Sequence, residues 1–550
     1  MTAATAGEKP TSMRTVVAAS SAGTAFEWYD FFIFGTLATV ISRTFFSALN
    51  DTAAFIAALA LFGTGFAFRP LGALIFGWLG DRAGRKAAFL ITVTMMGGAT
   101  FAIGLLPTYE QAGPIAPILL ILMRIIQGTA LGGEYGGAAI YVAEHAPADK
   151  RGTMTSWIQV SAGLGLIAAL LAVFVTRTVL GEEAFAAWGW RIPFLISAGL
   201  LAVSLWMRLK LSESPSFKAL KDAGEHSKAP FREAFGQKKN LKLVILALLA
   251  VMLAQGAVWY SAFFYTQVFL EKFLKVPPAT VNLLVMAMVL ASAPLYVFFG
   301  WLSDRTSRKW VMLGGMVLSL ALFFPGFQMM AKFANPALAE AEARMPVTVV
   351  ADPAACTLQF DPVGKAAFTT SCDVAKSVLA NAGISYRNQA APAGTAAQVR
   401  VGDIVVPSVE ATGLAPAEVK AARAGVETQI KAALTAGGYP LEADPQRINL
   451  PGVFAMLFLF AVGATALYGP QAAALVELFP TKVRYTALSL PYHIGTGWVG
   501  GFLPFTAFAI VAATGDIYSG LWYPFIFTLI SVVVTLFWWR EARGRPLEEI

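Results

Sequence analysis

Apolar and charged positions are sharply segregated along this 550-residue chain. Apolar runs at 16–41, 54–78, 87–106, 115–142, 155–176 and 190–208 are separated by short charged connections. After a polar stretch at 209–241, further runs follow at 242–270, 281–301, 310–331, 451–476, 486–513 and 519–539. About 20 apolar residues match the hydrocarbon thickness of a bilayer. None of the runs has the ten-residue alternation of a barrel strand. Without water, backbone polar groups must be satisfied within each segment, so the runs are expected to be helices. The pattern therefore predicts an all-α integral membrane fold of twelve spans. The first run carries Glu27 and Asp30 and is too long for a signal-peptide core, so it is expected to remain as the first span.

The connections repeat. GWLGDRAGRK (77–86) returns as GWLSDRTSRK (300–309), offset by 223. EHAPADKRGTMTS (144–156) shares Glu-x2-Pro-x3-Arg-x-Thr-x2-Ser with ELFPTKVRYTALS (477–489), offset by 333. The offsets differ by 110, which predicts two homologous halves with about that many residues inserted into the second. The expected units are 1–208 (first half), 209–241 (central loop), 242–331 (start of the second half), 332–449 (insertion) and 450–550 (the rest).

Composition agrees. The chain is 57% hydrophobic and only 13% charged, with a mean hydropathy of +0.63. A soluble protein carries about 25% charged residues. Lysine and arginine concentrate in alternate connections: Arg82, Arg85 and Lys86; Lys150 and Arg151; nine basic residues in 208–242; Arg305, Arg308 and Lys309; Lys482 and Arg484; Arg540, Arg543 and Arg545. That bias predicts cytoplasmic termini. It also accounts for the net charge of +8 without invoking nucleic acid.

By this topology the insertion is periplasmic. AAQVRVGDIVVPSV (396–409) reads as two short strands around Gly402-Asp403, and 415–438 as a helix ending at glycine. Both cysteines of the chain, Cys356 and Cys372, fall here. An oxidising compartment permits their disulfide, a loop closure contributing roughly 3 kcal/mol. The insertion has no histidine and no third metal ligand.

Several stretches carry a family resemblance: FEWYDFFIFG (26–35), FRPLGALIFGWLGDRAGRK (68–86), RIIQGTALGGEYGGA (124–138), WRIPFLIS (190–197), LSESPSF (211–217) and ELFPTKVRYTALSLPYHIG (477–495). With two six-helix halves, they resemble the major facilitator superfamily, and within it the metabolite:proton symporters that import oxoglutarate, citrate, shikimate, proline or betaine. The resemblance implies proton-driven import without a further cofactor into a bacterial cell, across the inner membrane, by a protein for which a monomer suffices. It implies a conformational latch at Asp81, Arg82 and Arg85. Asp304, Arg305 and Arg484 extend it, with a weaker, mostly topological role expected for the second decapeptide, where Ser307 replaces a glycine. Each aspartate is expected to cap the helix that follows it. Both decapeptides can also be read simply as positive-inside anchors.

Charges inside spans are costly, about 2.5–3.5 kcal/mol each, and usually face a cavity or a partner. There are five: Glu27, Asp30, Arg69, Arg124 and Glu134. Glu27 and Asp30 share one helix face, so one of them can hold a transported proton. Depth along the spans pairs Asp30 or Glu27 with Arg124, and Arg69 with Glu134. Glu27, Asp30 and Glu134 are thus candidate proton carriers, and Arg124 and Arg69 candidate receptors for a substrate carboxylate. The alternative is static ion pairs. Tyr29, Gln255, Trp259, Tyr468, Gln471 and His493 are candidate walls of the binding site, although aromatic stripes also serve as packing. The glycines of 128–137 predict that span 4 is closely packed. No nucleotide loop, metal cluster or catalytic triad is present, so an enzyme is not expected. Uniport of a neutral solute and a sensory role for the insertion are the competing readings.

Overall fold

The computed structural model describes residues 12–47, 61, 64–357 and 368–547. It is mostly helical. The principal helices are α1 (Met13–Thr36), α2 (Arg69–Arg82), α3 (Arg85–Leu105), α4 (Ile115–His145), α5 (Arg151–Leu180) and α6 (Arg191–Leu209). They are followed by α7 (Lys238–Phe273), α8 (Pro278–Arg305), α9 (Arg308–Ala334), α10 (Leu450–Val476), α11 (Arg484–Thr514) and α12 (Ser519–Trp538). Among the described residues, the ten helices α3–α12 are long and apolar enough to cross a membrane. The expected span 54–78 lies partly outside the described residues; its described helix is α2.

Close packing follows from small residues. A Cβ on Gly132 would collide with the carbonyl of Arg69, and one on Gly72 with that of Thr129, so α2 and α4 touch backbone to backbone. In the second half Gly256 and Gly495 bring α7 against α11 in the same way. Both of these helices are irregular. α7 contains π-helical turns at Leu248–Met252, Ser261–Tyr265 and Phe269–Phe273, and α11 one at Ile494–Gly500. Such turns mark local hinges and functional sites. Pro491 lies inside the segment before the α11 π-turn.

Between α9 and α10 the chain builds a four-stranded sheet, β1 (Val347–Ala351), β2 (Tyr386–Ala390), β3 (Gln398–Val401) and β4 (Ile404–Pro407), in the order β2-β1-β3-β4. β1 runs parallel to β2 and antiparallel to β3, with Val347 opposite both Tyr386 and Val401. The parallel pair needs a crossover, which the Ser371–Asn381 helix supplies. β3 and β4 pair antiparallel around Gly402, at φ +57, where a side chain would be strained. The Pro416–Ala436 helix follows. A Cys356–Cys372 disulfide ties the end of β1 to the crossover helix.

Candidate functional site

The two decapeptides lie at one face of the molecule and cross between its halves. Asp81, near the end of α2, accepts the N–H groups of Tyr485 (3.2 Å) and Thr486 (2.8 Å) at the start of α11. Asp304, near the end of α8, accepts those of Gly152 (2.8 Å) and Thr153 (2.6 Å) at the start of α5. Each aspartate thus satisfies orphan donors of a helix in the other half, where the positive dipole end favours it. This corrects the expectation that they cap α3 and α9. The N–H groups of Arg85 and Lys86 are instead taken by Glu213, and that of Trp310 by Ser307.

Buried arginines complete two matching networks. Arg85 lies 2.9 Å from Asp81 and 3.7 Å from Glu144, and Glu144 is 2.8 Å from Arg484. Arg308 lies 3.0 Å from Asp304 and 2.5 Å from Glu477, and Glu477 is 2.7 Å from Arg151. Glu144–Arg484 and Glu477–Arg151 both join the halves, and both come from the second repeated segment. The second network is therefore as complete in its contacts as the first. Gly84 sits at φ +120, but Ser307 is extended at φ −155, so nothing there requires glycine. Arg82 and Arg305 are not members. They are exposed and lie over Trp78 (5.1 Å) and Trp301 (4.4 Å).

Deeper in the first half, Glu27 on α1 pairs with Arg208 on α6 at 2.6 Å. Glu134 on α4 lies within reach of Glu27, Thr24 and Arg208. The Arg208 guanidinium also lies 3.6 Å over the Phe89 ring and donates to the Phe89 carbonyl. Asp30 accepts a hydrogen bond from Ser197 on α6. No ion pair joins Arg124 to Asp30 or Glu27, or Arg69 to Glu134, among the described residues. The expected pairings are corrected: depth along a span fixes height but not which neighbour an azimuth selects. Arg208, counted with the basic loop, is 1% exposed. Tyr485, next to the first network, donates to the Gly133 carbonyl at 2.5 Å and lies in the field of both glutamates.

Arg69 occupies the centre. It is 2% exposed, and its guanidinium lies 4.4 Å from the Phe66 ring, 4.8 Å from Phe31 and 5.6 Å from Trp28. Among the described residues its Nε and Nη2 find no acceptor in hydrogen-bonding geometry, although the Tyr260 hydroxyl lies within reach of the guanidinium. Tyr260, Tyr492 and His493 of the second half adjoin it. Arg124 donates to Gln127 (2.8 Å), which donates to Thr100 (2.7 Å). The Arg124 guanidinium also lies 5.2 Å from Phe31, so both central arginines flank that ring. Buried polar groups are normally paired, and unpaired N–H groups on a buried cation point to an anionic partner.

An aromatic cluster adjoins this position. Tyr135 stacks on Tyr492 at 3.7 Å, the Tyr492 and Tyr468 hydroxyls are 2.9 Å apart, and Trp259 Nε1 donates to Tyr296 Oη at 2.9 Å. Tyr468 lies 6.2 Å from Trp259 and 6.0 Å from Tyr296. Gln471 lies beside Tyr135, and Gln255 is buried with no partner for its Oε1 among the described residues. Tyr29 is not part of the wall; its hydroxyl donates to the Pro193 carbonyl at 2.6 Å and ties α1 to α6. Sequence reasoning missed Arg208, Trp28, Phe66, Tyr135 and Tyr296. It quoted Glu144 and Glu477 within the repeats without assigning them a role and counted Arg151 and Arg308 only toward the cytoplasmic charge bias; their recurrence was the available signal.

Residues 15–234 match the family model described as "Sugar (and other) transporter". The shikimate transporter of Escherichia coli K12 is 39% identical over 322 residues, 57% of this chain and 72% of that protein. The chain belongs to this transporter family, within the major facilitator superfamily. The relatives it matches are named as transporters, and ten of its described helices are long and apolar enough to cross a membrane. The proline/betaine transporter of Salmonella typhimurium LT2 is 36% identical over 324 residues, and the match spans 64% of that protein's length. Among solved structures, the proton:xylose symporter XylE bound to 6-bromo-6-deoxy-D-glucose superposes with a TM-score of 0.61 at 15% identity, covering 98% of each chain. XylE from E. coli in a partially occluded inward-open conformation gives 0.55 at 15% identity, covering 97% of this chain and 99% of that one. These two similarities establish the fold.

Proposed function

We propose that this chain is a twelve-helix symporter of a bacterial inner membrane that imports a small carboxylate-bearing solute together with protons. Its termini are cytoplasmic and its α/β unit is periplasmic. The observation that carries this reading is Arg69: a buried guanidinium where the two halves meet, beside the Tyr260 hydroxyl and with no carboxylate paired to it among the described residues. A carboxylate supplies the planar acceptor that such a group recognises best. Shikimate, proline and betaine, named in the relatives, all carry a carboxylate.

Proton coupling is assigned to Glu27 and Glu134. Two carboxyls and one guanidinium form a buried cluster whose charge balances only when one carboxyl is protonated. Tyr485 links that cluster to the first inter-half network, so a proton entering or leaving it bears on the contact that holds the halves together. Such coupling lets the gradient drive rocking of one half against the other around a midplane site. The solute and its protons are the only partners required besides the bilayer.

The aromatic cluster favours a second reading of the substrate, a zwitterion such as a betaine. Trp259, Tyr296, Tyr468, Tyr492 and Tyr135 would face its cationic end while Arg69 holds the carboxylate, since ring faces attract quaternary ammonium groups. The deciding experiment is uptake and proton flux in proteoliposomes over dicarboxylates, tricarboxylates, aromatic acids and betaines. External alkalinisation with one class identifies it. Saturable uptake without proton movement would reduce the reading to uniport.

A further inference from the structure

The α/β unit grips the ends of two helices that carry the central site. The last carbonyls of a helix have no intrahelical partner. At the end of α11 they are taken by the unit. Tyr386 Oη donates to Ala512 O, Lys376 Nζ to Ala513 O (3.4 Å), Asn388 Nδ2 to Thr514 O (2.8 Å) and Tyr386 N–H to Gly515 O (2.7 Å). Lys376 also places a positive charge at the negative dipole end. Gly515, at φ +84, turns the chain directly against the Tyr386 ring.

α7 is held by the same unit. Gly383, at φ +66, packs against the Lys272–Phe273 backbone with no room for a Cβ, and the Ala443 N–H donates to Lys275 O at 2.9 Å. The gripped ends also meet each other, with the Phe273 and Phe508 rings stacked 6.1 Å apart. Among the described residues, no hydrogen bond or ion pair joins residues 336–448 to residues 12–209. The unit belongs mechanically to the second half.

Below the gripped ends each helix is interrupted. The π-turns at Ser261–Tyr265 and Ile494–Gly500 directly follow Trp259-Tyr260 and Tyr492-His493, which adjoin the arginine site or its aromatic wall. We propose that Tyr386, Asn388 and Lys376 are positioning residues: they hold the end of α11 while Gly383 and Ala443 hold that of α7, so the α/β unit fuses the outer segments of both helices into one block, which moves about the two π-turns relative to the first half. This rests on the alternating-access reading above. The disulfide between Cys356 and Cys372 holds the crossover helix that carries Lys376 to the end of β1, so it stiffens the block.

The test uses the full chain with genetically encoded spin labels at Lys420 in the unit, Lys272 at the end of α7 and Glu110 in the first half. Distances are measured with the inter-half networks intact and broken by Asp81→Asn with Asp304→Asn. The expected result is a shift in Lys420–Glu110 and no change in Lys420–Lys272. A second variant, Tyr386→Phe with Asn388→Ala and Lys376→Met, is expected to broaden the distance from Lys420 to a further label at Asp516, just past the end of α11; a merely stabilising role would lower the melting temperature without broadening it. Should that variant fail to fold, the unmodified clamp still decides. A Lys420–Lys272 shift as large as that of Lys420–Glu110 overturns the block while leaving alternating access intact. No Lys420–Glu110 shift overturns both.

Discussion

Glu27 on α1 meets Arg208 on α6 at 2.6 Å, and Glu134 on α4 adjoins the same pair. Replacing Glu134 by Gln removes the surplus negative charge and leaves Glu27–Arg208 neutral. The expected outcome is loss of solute-driven proton flux with solute exchange retained, read by a pH dye and by counterflow in proteoliposomes. Asp30→Asn, whose hydrogen-bond partner among the described residues is Ser197, is expected to keep proton-coupled uptake. Full coupling in Glu134→Gln would remove Glu134 as the carrier.

Arg69 is tested by shape as well as charge. Losing one charge-assisted hydrogen bond costs roughly 1.5–3 kcal/mol, so Arg69→Met is expected to raise KM at least about tenfold. Arg69→Lys keeps the charge but not the planar fork, and recovers only part of the loss. A KM unchanged in both variants would place the substrate elsewhere.

The two inter-half networks are expected to contribute equally. Removing one member of a buried pair costs about 3–5 kcal/mol. Asp81→Asn and Asp304→Asn each keep the side-chain shape but lose the charge, and each is expected to raise the labelling of cysteines introduced at the face bearing the decapeptides. Arg82→Ala and Arg305→Ala, which remove only exposed side chains stacked on tryptophan, are expected to leave labelling unchanged.

Lys275 lies in the connection between α7 and α8. Burial, with Lys272 and Lys431 nearby, pushes its ammonium down to about 8. Because the folded value lies below the ordinary lysine value of about 10.4, the folded state is disfavoured as pH falls through that interval and the group becomes charged. Competitive acylation with mass spectrometry is expected to give a Lys275 midpoint near 8. A midpoint at the ordinary lysine value would mean that the amine is solvated.

Close packing between α2 and α4 makes a steric prediction. Gly132→Ala places a methyl group against the Arg69 carbonyl, and overpacking of this kind costs about 1–3 kcal/mol. A lower melting temperature in detergent is the expected reading. Gly98→Ala, where a Cβ meets nothing, serves as its control.

The chain itself determined the helical membrane architecture, its duplication, the α/β segment with its two cysteines, and the residue types that can carry a proton or bind an anion. Those properties are local or periodic: an apolar run must be a helix in a bilayer, and a repeat is visible wherever it lies. Partner choice was not local. Asp81 reaches α11 across more than 400 positions of sequence, Glu27 takes Arg208 rather than Arg124, and Tyr29 turns to Pro193. Each choice depends on helix azimuth and on which backbones glycines allow to approach, and only the packed tertiary structure fixes those.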